Sequence, residues 1–319
     1  MVAGLVLAVL VGAGVVALRV LAERYDRAVR RAELLDAAAR ESGRSPLSGP
    51  LDYLVIGSDL RVANPSAGQR ADTIVIAHVP AAHDRVYLIS IPRDLLVTLP
   101  PYPATGYAGG QDKINAAFQY GRGGPQLLSA AVSHLTGVRF DGAAIIEFSG
   151  FRRVIDLLGG VTVCVDHEVR SIHTGRLFVV GCHRMTGAVA LDYVRQRYDL
   201  PRGDYDRQRH QQQLVKSIMK EAADRGLLTN PILLDQLIRA VGSSLTVDTN
   251  GVPVARLILT LRNLGAEDLV GVRIPAHGAM IEGVSYAVAQ PAAEDLFAAL
   301  RADSLAAWAA ANPRWVNRL

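Results

Sequence analysis

Three closely spaced apolar runs constrain the fold of this 319-residue chain more than any other feature. Residues 51–59, 72–79 and 85–91 are rich in Ile, Leu and Val and are bounded by turn-forming or charged residues, a pattern typical of β-strands. Because the runs are apolar on both faces, we expect them to form the middle of a covered sheet. The short segment 80–84 between the second and third runs predicts a hairpin.

Helical and strand-like patterns alternate after these runs. Helices are expected over 113–121, 124–137, 151–160, 207–226 and 291–303, and strands over 142–150, 161–166, 267–278 and 284–290. This alternation predicts the α/β class, with a three-layer α/β/α architecture around a central mixed β-sheet. Since nothing after Leu51 marks a second boundary, we expect one domain over 51–302 and a C-terminal tail over 303–319.

The N-terminal residues predict a membrane anchor. Residues 2–18 carry no charge, and a helix that continues past Arg19 reaches the roughly 20 residues that cross a bilayer. We therefore expect a transmembrane helix over 1–22, followed by a helical stalk and linker over 23–50. A cleaved signal peptide is the alternative, but no cleavage-site pattern follows the apolar stretch. Arginines follow the stretch and nothing basic precedes it, which by itself would place the domain in the cytoplasm.

The overall basic composition indicates less about the binding partner than the positions of the basic residues do. The formal net charge is +4, and Lys113, Lys216 and Lys220 are the only lysines among 34 basic residues. Aromatic residues make up 6% of the chain and are not interleaved with the arginines. Because helix-turn-helix and RNA-binding signatures are also missing from the sequence, nucleic acid is not expected as a partner.

Arginine and aspartate recur at the ends of the predicted strands. The strand ends carry Asp59 with Arg61, Arg70 with Asp72, and Arg93 with Asp94. Further candidates lie downstream at Asp112, Lys113, Arg195, Arg197, Asp204, Arg207, Arg209 and Gln211. A single Asp–Arg pair is usually a solvated salt bridge of little value. However, consecutive paired strands bring their ends together, so these groups could share one rim.

Several arginines on one rim would repel one another unless an anion lay between them. The guanidinium fork suits phosphate oxygens, and paired carboxylates suit a Mg²⁺ ion that bridges phosphates. The pattern therefore predicts a Mg²⁺-assisted site for a phosphorylated ligand.

Cys164 and Cys182 are the only cysteines, and their spacing does not match a metal site. They are either two buried thiols or one disulfide. A disulfide would require an oxidising compartment.

The residues also resemble a known family, the LytR-CpsA-Psr ligases of wall polymers. The resemblance rests on "GSDLR", "RADTIVIAHV", "ISIPRD", "DKINAAFQYG", "FRRVIDLLGGVTV", "LDYVRQR" and "GDYDRQRHQQQ", in this order between Leu51 and Gln213. It implies a single-pass membrane protein whose catalytic domain is extracytoplasmic. It also implies transfer of a glycopolymer from a polyprenyl-pyrophosphate donor to a peptidoglycan acceptor, with a phosphodiester product.

The resemblance assigns roles to individual residues. It implies Asp59 and Asp72 as Mg²⁺ ligands, and a pyrophosphate site formed by Arg61, Arg70, Arg93, Lys113, Arg195, Arg197, Arg207 and Gln211. In the expected reaction a wall-sugar hydroxyl attacks phosphorus, Arg93 stabilises the developing charge, and Asp94 or Asp204 accepts the proton. Some members carry a disulfide in the region of Cys164 and Cys182.

One position departs from the family pattern. His210 stands where the family usually has arginine before paired glutamines, with Arg209 one place earlier. The corresponding head-group contact could be kept, shifted or made pH-sensitive. For the lipid chain of the donor, helices around 125–135 and 211–240 could line an apolar slot, although ordinary core packing explains them equally well.

Two other functions fit the same residues. A pyrophosphohydrolase would use the same cationic site with water as acceptor, and dependence of product on a glycan acceptor would separate it from a ligase. A membrane-anchored, non-enzymatic anion-binding or regulatory module would not need paired carboxylates, and loss of affinity on Mg²⁺ removal would count against it.

Overall fold

The computed structural model describes residues 29–43, 45–58, 71–119, 122–227, 230–242, 244–317 and 319. The strands of these residues are β1 (Arg30–Arg31), β2 (Leu51–Ser58), β3 (Ala71–Val79), β4 (Val86–Ile91), β5 (Leu96–Leu99), β6 (Gly110–Lys113), β7 (Gly142–Glu147), β8 (Val161–Val165), β9 (Val169–Arg170), β10 (Leu177–Phe178), β11 (Gly181–Met185), β12 (Leu245–Asp248), β13 (Leu269–Arg273), β14 (Ala276–Ile281), β15 (Val284–Ala289) and β16 (Val316–Asn317). The α-helices are α1 (Gly124–Thr136), α2 (Phe148–Leu157), α3 (Gly187–Tyr193), α4 (Asp204–Asp224), α5 (Pro231–Gly242), α6 (Val254–Leu261), α7 (Ala292–Arg301) and α8 (Leu305–Ala311).

A mixed sheet forms the centre of the molecule. Its eight strands lie in the order β1-β12-β7-β2-β3-β4-β13-β16. The three apolar runs form β2, β3 and β4, which pair antiparallel as consecutive neighbours. β7 and β13 pair parallel with β2 and β4 on either side of them. The predicted hairpin and the predicted mixed sheet are confirmed.

Helices cover both faces of this sheet. Alternate residues of β2 face opposite sides, since Leu54 and Ile56 join one core cluster and Val55 joins another. The first cluster packs the sheet against α1, α7 and α8. The second packs it against α4 through Val215 and Met219. The predicted α/β/α arrangement is therefore what these side chains form.

The strand ends that carry the charged motifs lie together at one end of the sheet. Ile74 pairs with Ile91, so β3 begins where β4 ends. Ser58 pairs with Glu147, so β2 and β7 end at the same edge. We call this end of the sheet the site edge.

The segment before β2 is not the predicted helical stalk. Residues 29–43 and 45–50 contain no helix, and β1 pairs parallel with β12 at the margin of the sheet. Leu34 and Leu35 are buried in the core, and their backbone N–H groups donate to Asp248 Oδ2 at 3.0 and 3.2 Å. The segment does not form the helix that its pattern predicts, because burial of these leucines in the domain stabilises the chain more than an isolated helix would.

The segment after residue 302 is likewise not a free tail. α8 follows directly on α7, and β16 pairs antiparallel with β13. Trp308 and Trp315 are buried in the main core, and Asn317 Nδ2 donates to Gln212 Oε1 at 2.7 Å. The domain therefore extends at both ends beyond the expected bounds of 51–302.

Two local expectations also change. Residues 113–121 are not one helix, because Lys113 closes β6 and Ile114–Phe118 form a 3₁₀-helix. The expected strand over 267–278 is divided: β13 lies in the central sheet, whereas β14 pairs with β15 in a separate hairpin. Pro275, which lacks a backbone N–H, stands between the two strands.

The predicted anchor over residues 1–22 lies outside the described residues. Within the ranges given above, no helix is both long enough and apolar enough to span a bilayer.

A disulfide joins Cys164 and Cys182, as one of the two sequence alternatives predicts. The two residues lie directly opposite each other in the antiparallel pair of β8 and β11. Both are exposed, so the alternative of two buried thiols is wrong.

A buried histidine connects the sheet to the C-terminal segment. His78 Nδ1 lies 2.9 Å from Asp52 Oδ1, and its Nε2 lies 3.0 Å from Asp303 Oδ1. Burial lowers the pKa of His78, but the hydrogen bonds and charges of the two aspartates outweigh it, so the pKa is raised above its usual value. The folded protein therefore favours the imidazolium form.

We expect the thermal midpoint to fall as the pH rises from about 6.5, the usual pKa of histidine, through the raised pKa of His78. The stabilisation is fully present below the unfolded pKa of about 6.5 and is lost as the pH passes the raised folded pKa. Calorimetric scans of the wild type and His78→Gln across this range test the prediction. If the thermal midpoint of His78→Gln falls with pH as steeply as that of the wild type, another group is responsible.

Candidate active site

The opening of β3 and the turn after β4 place two opposite charges together. Pro92 begins a turn that is closed by a 2.9 Å hydrogen bond from Leu95 N to Pro92 O, and Arg93 and Asp94 lie within it. Arg93 Nη1 forms an ion pair with Asp72 Oδ1. The expectation that these strand ends share a rim is therefore met for this pair.

Asp94 is the meeting point of three cations. Its carboxylate oxygens lie 3.0 Å from Lys113 Nζ, 3.8 Å from Arg93 Nε and 3.8 Å from Arg197 Nη1. The pairing of β5 with β6 sets Lys113 opposite Leu96, two residues after Asp94. Lys113 Nζ also lies 5.4 Å from the ring centre of Tyr286.

The first turn of α4 fixes another arginine. Arg207 Nη1 donates to the backbone oxygen of Asp72 at 2.8 Å, and its Nε donates to Asp204 Oδ1 at 2.8 Å. Gln208 Nε2 donates to Asp204 Oδ2 at 2.9 Å. Burial raises the pKa of Asp204, but the Arg207 charge and these hydrogen bonds outweigh it, so the pKa is lowered. Asp204 is thus an ionised group that orients Arg207.

The segment after α3 supplies the remaining charges. Arg195 lies over the ring of Phe148 at 5.2 Å, and Arg197 lies over the ring of Tyr198 at 4.9 Å. Gln211 Nε2 donates to Val194 O at 3.4 Å, which connects this segment to α4.

These side chains surround two adjoining cavities, which together we call the polar cleft. The larger has a volume of about 570 Å³ and is lined by Arg93, Asp94, Lys113, Asn115, Gln119, Arg197, Tyr198 and Ser285. The smaller has a volume of about 190 Å³ and is lined by Asp72, Arg93, Phe148, Ile172, His173, Arg195, Arg197, Tyr198, Arg207 and Gln211. Because both include Arg93, the guanidinium stands between them.

Positive charge is in excess around the polar cleft. Among the described lining residues, five Arg or Lys side chains face two aspartates. Burial lowers the pKa of Arg93, but Asp72, Asp94 and Asp204 outweigh it and raise the pKa, so this arginine stays charged. Its buried Nε donates no hydrogen bond to any described residue. A polyanion with several oxygen acceptors suits such a site.

An apolar cavity adjoins the polar cleft. It has a volume of about 250 Å³, lies between the sheet and α4, and shares Phe148, Arg195 and Gln211 with the smaller polar cavity. Its apolar lining includes Val55, Val75, Leu88, Phe151, Leu191 and Val215. Of the two helical stretches expected to line an apolar slot, the one that begins at 211 contributes Gln211, Gln212 and Val215. The stretch around 125–135 instead buries Leu127 and Leu128 in the main core.

The structure brings together most of the predicted site residues. Those that line the polar cleft are Asp72, Arg93, Asp94, Lys113, Arg195, Arg197, Arg207 and Gln211. Asp204 lies behind Arg207 and is not among the lining residues of either described cavity. The predicted residues Asp59, Arg61 and Arg70 lie outside the described residues.

His210 faces away from the polar cleft. Its ring is fully buried, stacks on Tyr193 with 4.6 Å between ring centres, and places Nε2 2.9 Å from Asp166 Oδ1. Arg209 pairs with the same aspartate. Neither side chain lines a described cavity of the polar cleft, so the possibility of a pH-sensitive head-group contact at His210 finds no support in the structure.

Several lining residues are not predicted from the sequence. Asn115 and Gln119 belong to the quoted motif "DKINAAFQYG" and reach the cleft because Asn115 N donates to Arg93 O at 3.2 Å. Ser285 comes from the hairpin of β14 and β15, which is tied to the site by a 2.9 Å hydrogen bond from Ala287 N to Asp94 O. No local signal marks Ser285, because only the tertiary fold brings it near.

Asp72 and Asp94 are the two carboxylates among the described lining residues of the polar cleft. Asp72 is 18% exposed at its side chain and opens into the smaller cavity. Within the described ranges no three Asp, Glu, His or Cys side chains form a metal-binding group. Mg²⁺ is usually held by one or two carboxylates together with substrate phosphates and water, so Asp72 is a described residue whose chemistry fits such an ion.

Comparisons with known proteins agree with this architecture. The cell wall biosynthesis protein LcpA of Corynebacterium glutamicum is 31% identical over 263 residues, which cover 71% of this chain and 50% of that protein. The chain spans about half the length of the curated relatives it matches. A structure of TagT bound to LI-WTA has a TM-score of 0.66 at 20% identity and covers 86% of this chain and 98% of that one. A structure of TagV from B. subtilis has a TM-score of 0.65 at 21% identity and covers 81% and 98%.

The likeness to the two solved structures concerns the fold, whereas the match to a family model concerns the sequence itself. That match, to the LytR_cpsA_psr family, extends over residues 21–302 and so includes every described residue of the polar cleft. The chain belongs to the LytR-CpsA-Psr family.

Proposed function

We propose that this protein transfers a glycopolymer from a polyprenyl-pyrophosphate donor to peptidoglycan and forms a phosphodiester bond. The observation that carries the proposal is the junction of the polar cleft with an apolar cavity at Phe148, Arg195 and Gln211. A donor with a diphosphate between a glycan and a lipid chain has polar and apolar parts in the same order as the polar cleft and the apolar cavity. The curated relative LcpA is described as a cell wall biosynthesis protein.

The arginines would hold the diphosphate. Arg93 stands between the two polar cavities, and its Nε donates no hydrogen bond within the described ranges, while Arg195, Arg197 and Arg207 surround the smaller cavity. Their fixed positions would neutralise charge that develops on the bridging and leaving oxygens, and preorganised charge of this kind is usually the largest catalytic contribution. The lipid chain would enter the apolar cavity beside Phe148.

The acceptor would occupy the larger polar cavity. A hydroxyl oxygen of the wall sugar attacks the sugar-linked phosphorus, the bond from that phosphorus to the bridging oxygen breaks, and polyprenyl phosphate leaves. Asp94 lines this cavity and would accept the hydroxyl proton. Asp204, the other candidate, lines neither polar cavity and accepts hydrogen bonds from Arg207 and Gln208, so we assign it the role of orienting Arg207.

Asp72, together with the predicted ligand Asp59, would hold Mg²⁺. When bound, the ion would add positive charge next to the phosphate oxygens.

Transfer from a lipid-linked donor with and without a glycan acceptor tests the function. We expect lipid phosphate and glycan-linked product to appear together and only with acceptor present. Equal release of lipid phosphate in water alone would favour the pyrophosphohydrolase. Binding without release of product would favour the non-enzymatic module.

Removal of Mg²⁺ should weaken binding of inorganic pyrophosphate by at least about tenfold, which corresponds to about 1.4 kcal/mol. The reason is that Asp72 and the phosphates would repel each other without a cation between them. Isothermal titration with Mg²⁺ or with EDTA measures the effect, and Asp72→Asn should abolish the difference. Identical affinities of the wild type under both conditions would remove Mg²⁺ from the proposal.

A further inference from the structure

Residues 169–183, which we call the ribbon, expose aliphatic side chains and bury a polar one. An ordinary surface loop does the reverse. Ile172, Leu177, Val179 and Val180 are 56%, 42%, 44% and 63% exposed. Ser171, in the same ribbon, is 3% exposed and donates to Asp192 Oδ1 at 2.6 Å. The four exposed aliphatic residues lie within positions 172–180, and an apolar stretch exposed on a polar protein surface usually marks an interaction site.

The ribbon is held firmly, so this exposure is a property of the fold. Thr174 Oγ1 donates to Asp192 Oδ2 at 2.5 Å, and Gln196 Oε1 accepts the Ile172 N–H at 3.2 Å. Phe178 is buried against Tyr193, with 5.2 Å between ring centres. The disulfide between Cys164 and Cys182 closes the base of the ribbon. The polar groups of the ribbon are therefore bound on its inner side by Asp192 and Gln196, while the aliphatic groups stay outside.

The charges of the ribbon favour one kind of partner. Arg170, His173, Arg176 and His183 lie in it, and residues 169–185 contain no Asp or Glu. Aliphatic side chains interleaved with basic ones are typical of segments that lie in the interface of an anionic bilayer. Carbohydrate would instead be met by exposed aromatic faces, whereas the one aromatic residue of the ribbon, Phe178, is buried.

The position of the ribbon agrees with a lipid partner. Ile172 and His173 line the smaller polar cavity, which joins the apolar cavity at Phe148. Arg30 Nη1 donates to Glu147 Oε1 at 3.0 Å, directly before Phe148. The chain that follows the apolar stretch 1–22 thus enters the domain at the site edge, next to the same cavities.

We propose that the ribbon 169–183 is a membrane-contact surface that inserts its aliphatic side chains into an anionic bilayer and sets the mouth of the cavities against the lipid. The consequence for catalysis, that a donor chain passes from the bilayer into the apolar cavity without crossing water, rests on the proposed function. The contact itself does not.

Quenching of tryptophan emission by brominated lipid tests the contact. The full chain carrying Val180→Trp is reconstituted with vesicles of phosphatidylcholine and phosphatidylglycerol whose acyl chains are brominated near the headgroup. Because interfacial segments lie about 5–10 Å into the boundary of headgroups and chains, we expect about half of the added emission to be lost. Wild-type emission from the two buried tryptophans, Trp308 and Trp315, is subtracted.

Asp84→Trp is the matched control. Asp84 is 51% exposed at its side chain and lies in the turn between β3 and β4, at the end of the sheet opposite the site edge. Its emission should not be quenched. Val179→Trp gives a second reporter should Val180→Trp fail to fold. If both ribbon reporters are quenched no more than Asp84→Trp, the proposed contact is overturned, including the case in which the ribbon binds a second copy of the chain.

A second measurement separates this proposal from the proposed function. The double variant Leu177→Asp, Val180→Asp should lower transfer from vesicle-embedded donor by at least about tenfold, since two aliphatic side chains lose their burial in lipid. It should bind inorganic pyrophosphate as the wild type does. Quenching without any wild-type transfer would keep the membrane contact and reject the ligase. Wild-type rates of transfer by the double variant would reject the role of the ribbon in donor entry.

Discussion

Arg93→Ala is expected to lower the rate of glycan transfer by about a hundredfold or more, the usual effect of removing one preorganised charge-stabilising donor. Arg93 stands between the two polar cavities, and its buried Nε donates no hydrogen bond to any described residue. Its loss would also leave Asp72 without its ion-pair partner at the phosphate site. Initial rates with a lipid-linked donor and a peptidoglycan acceptor measure the effect.

Two further variants make this result specific. Arg93→Lys keeps the charge but not the planar fork, so we expect a rate between those of the wild type and the alanine variant. Arg184→Ala removes an arginine whose Nη2 pairs with Glu221 Oε1 at 2.9 Å on the surface, and its rate should match the wild type. Near wild-type transfer by folded Arg93→Ala would eliminate the proposed role.

The double variant Cys164→Ser, Cys182→Ser should lower the free energy of unfolding by about 3 kcal/mol, the amount expected from chain entropy for a loop of about 15 residues. The bonded residues are separated by 18 positions, and both are exposed on the pair of β8 and β11. The loss would therefore come mainly from a less constrained unfolded chain and not from a cavity. Urea denaturation measures it.

Mass spectrometry of the non-reduced protein gives the complementary result, a peptide in which Cys164 is linked to Cys182. Reduced wild type should unfold near the midpoint of the double variant, which controls for an effect of serine itself. Alkylation of both thiols in native protein, or equal stability in urea of the non-reduced wild type and the double variant, would contradict this expectation.

The sequence was sufficient for the centre of the fold because its signals there are local. The strand runs that became β2, β3 and β4 are apolar on both faces, and their order in the chain is their order in the sheet. That adjacency also brought Asp72 to Arg93, as the strand ends predicted. Helical periodicity does not predict the segments at either end, because Leu34, Leu35 and Trp315 are buried by contacts with residues distant in sequence.

The candidate site, like the fold, is predicted only in part from the sequence. Charged residue types, their positions at strand ends and the order of the motifs are properties of the sequence, and they indicated an anion site and the family. The roles of particular side chains depended on the tertiary structure. Asp204 is turned toward Arg207, His210 is buried beside Tyr193, and Ser285 reaches the cleft from a distant hairpin. The junction of polar and apolar cavities and the outward aliphatic side chains of the ribbon were likewise decided by packing, because a residue's partners and exposure are set by the whole chain.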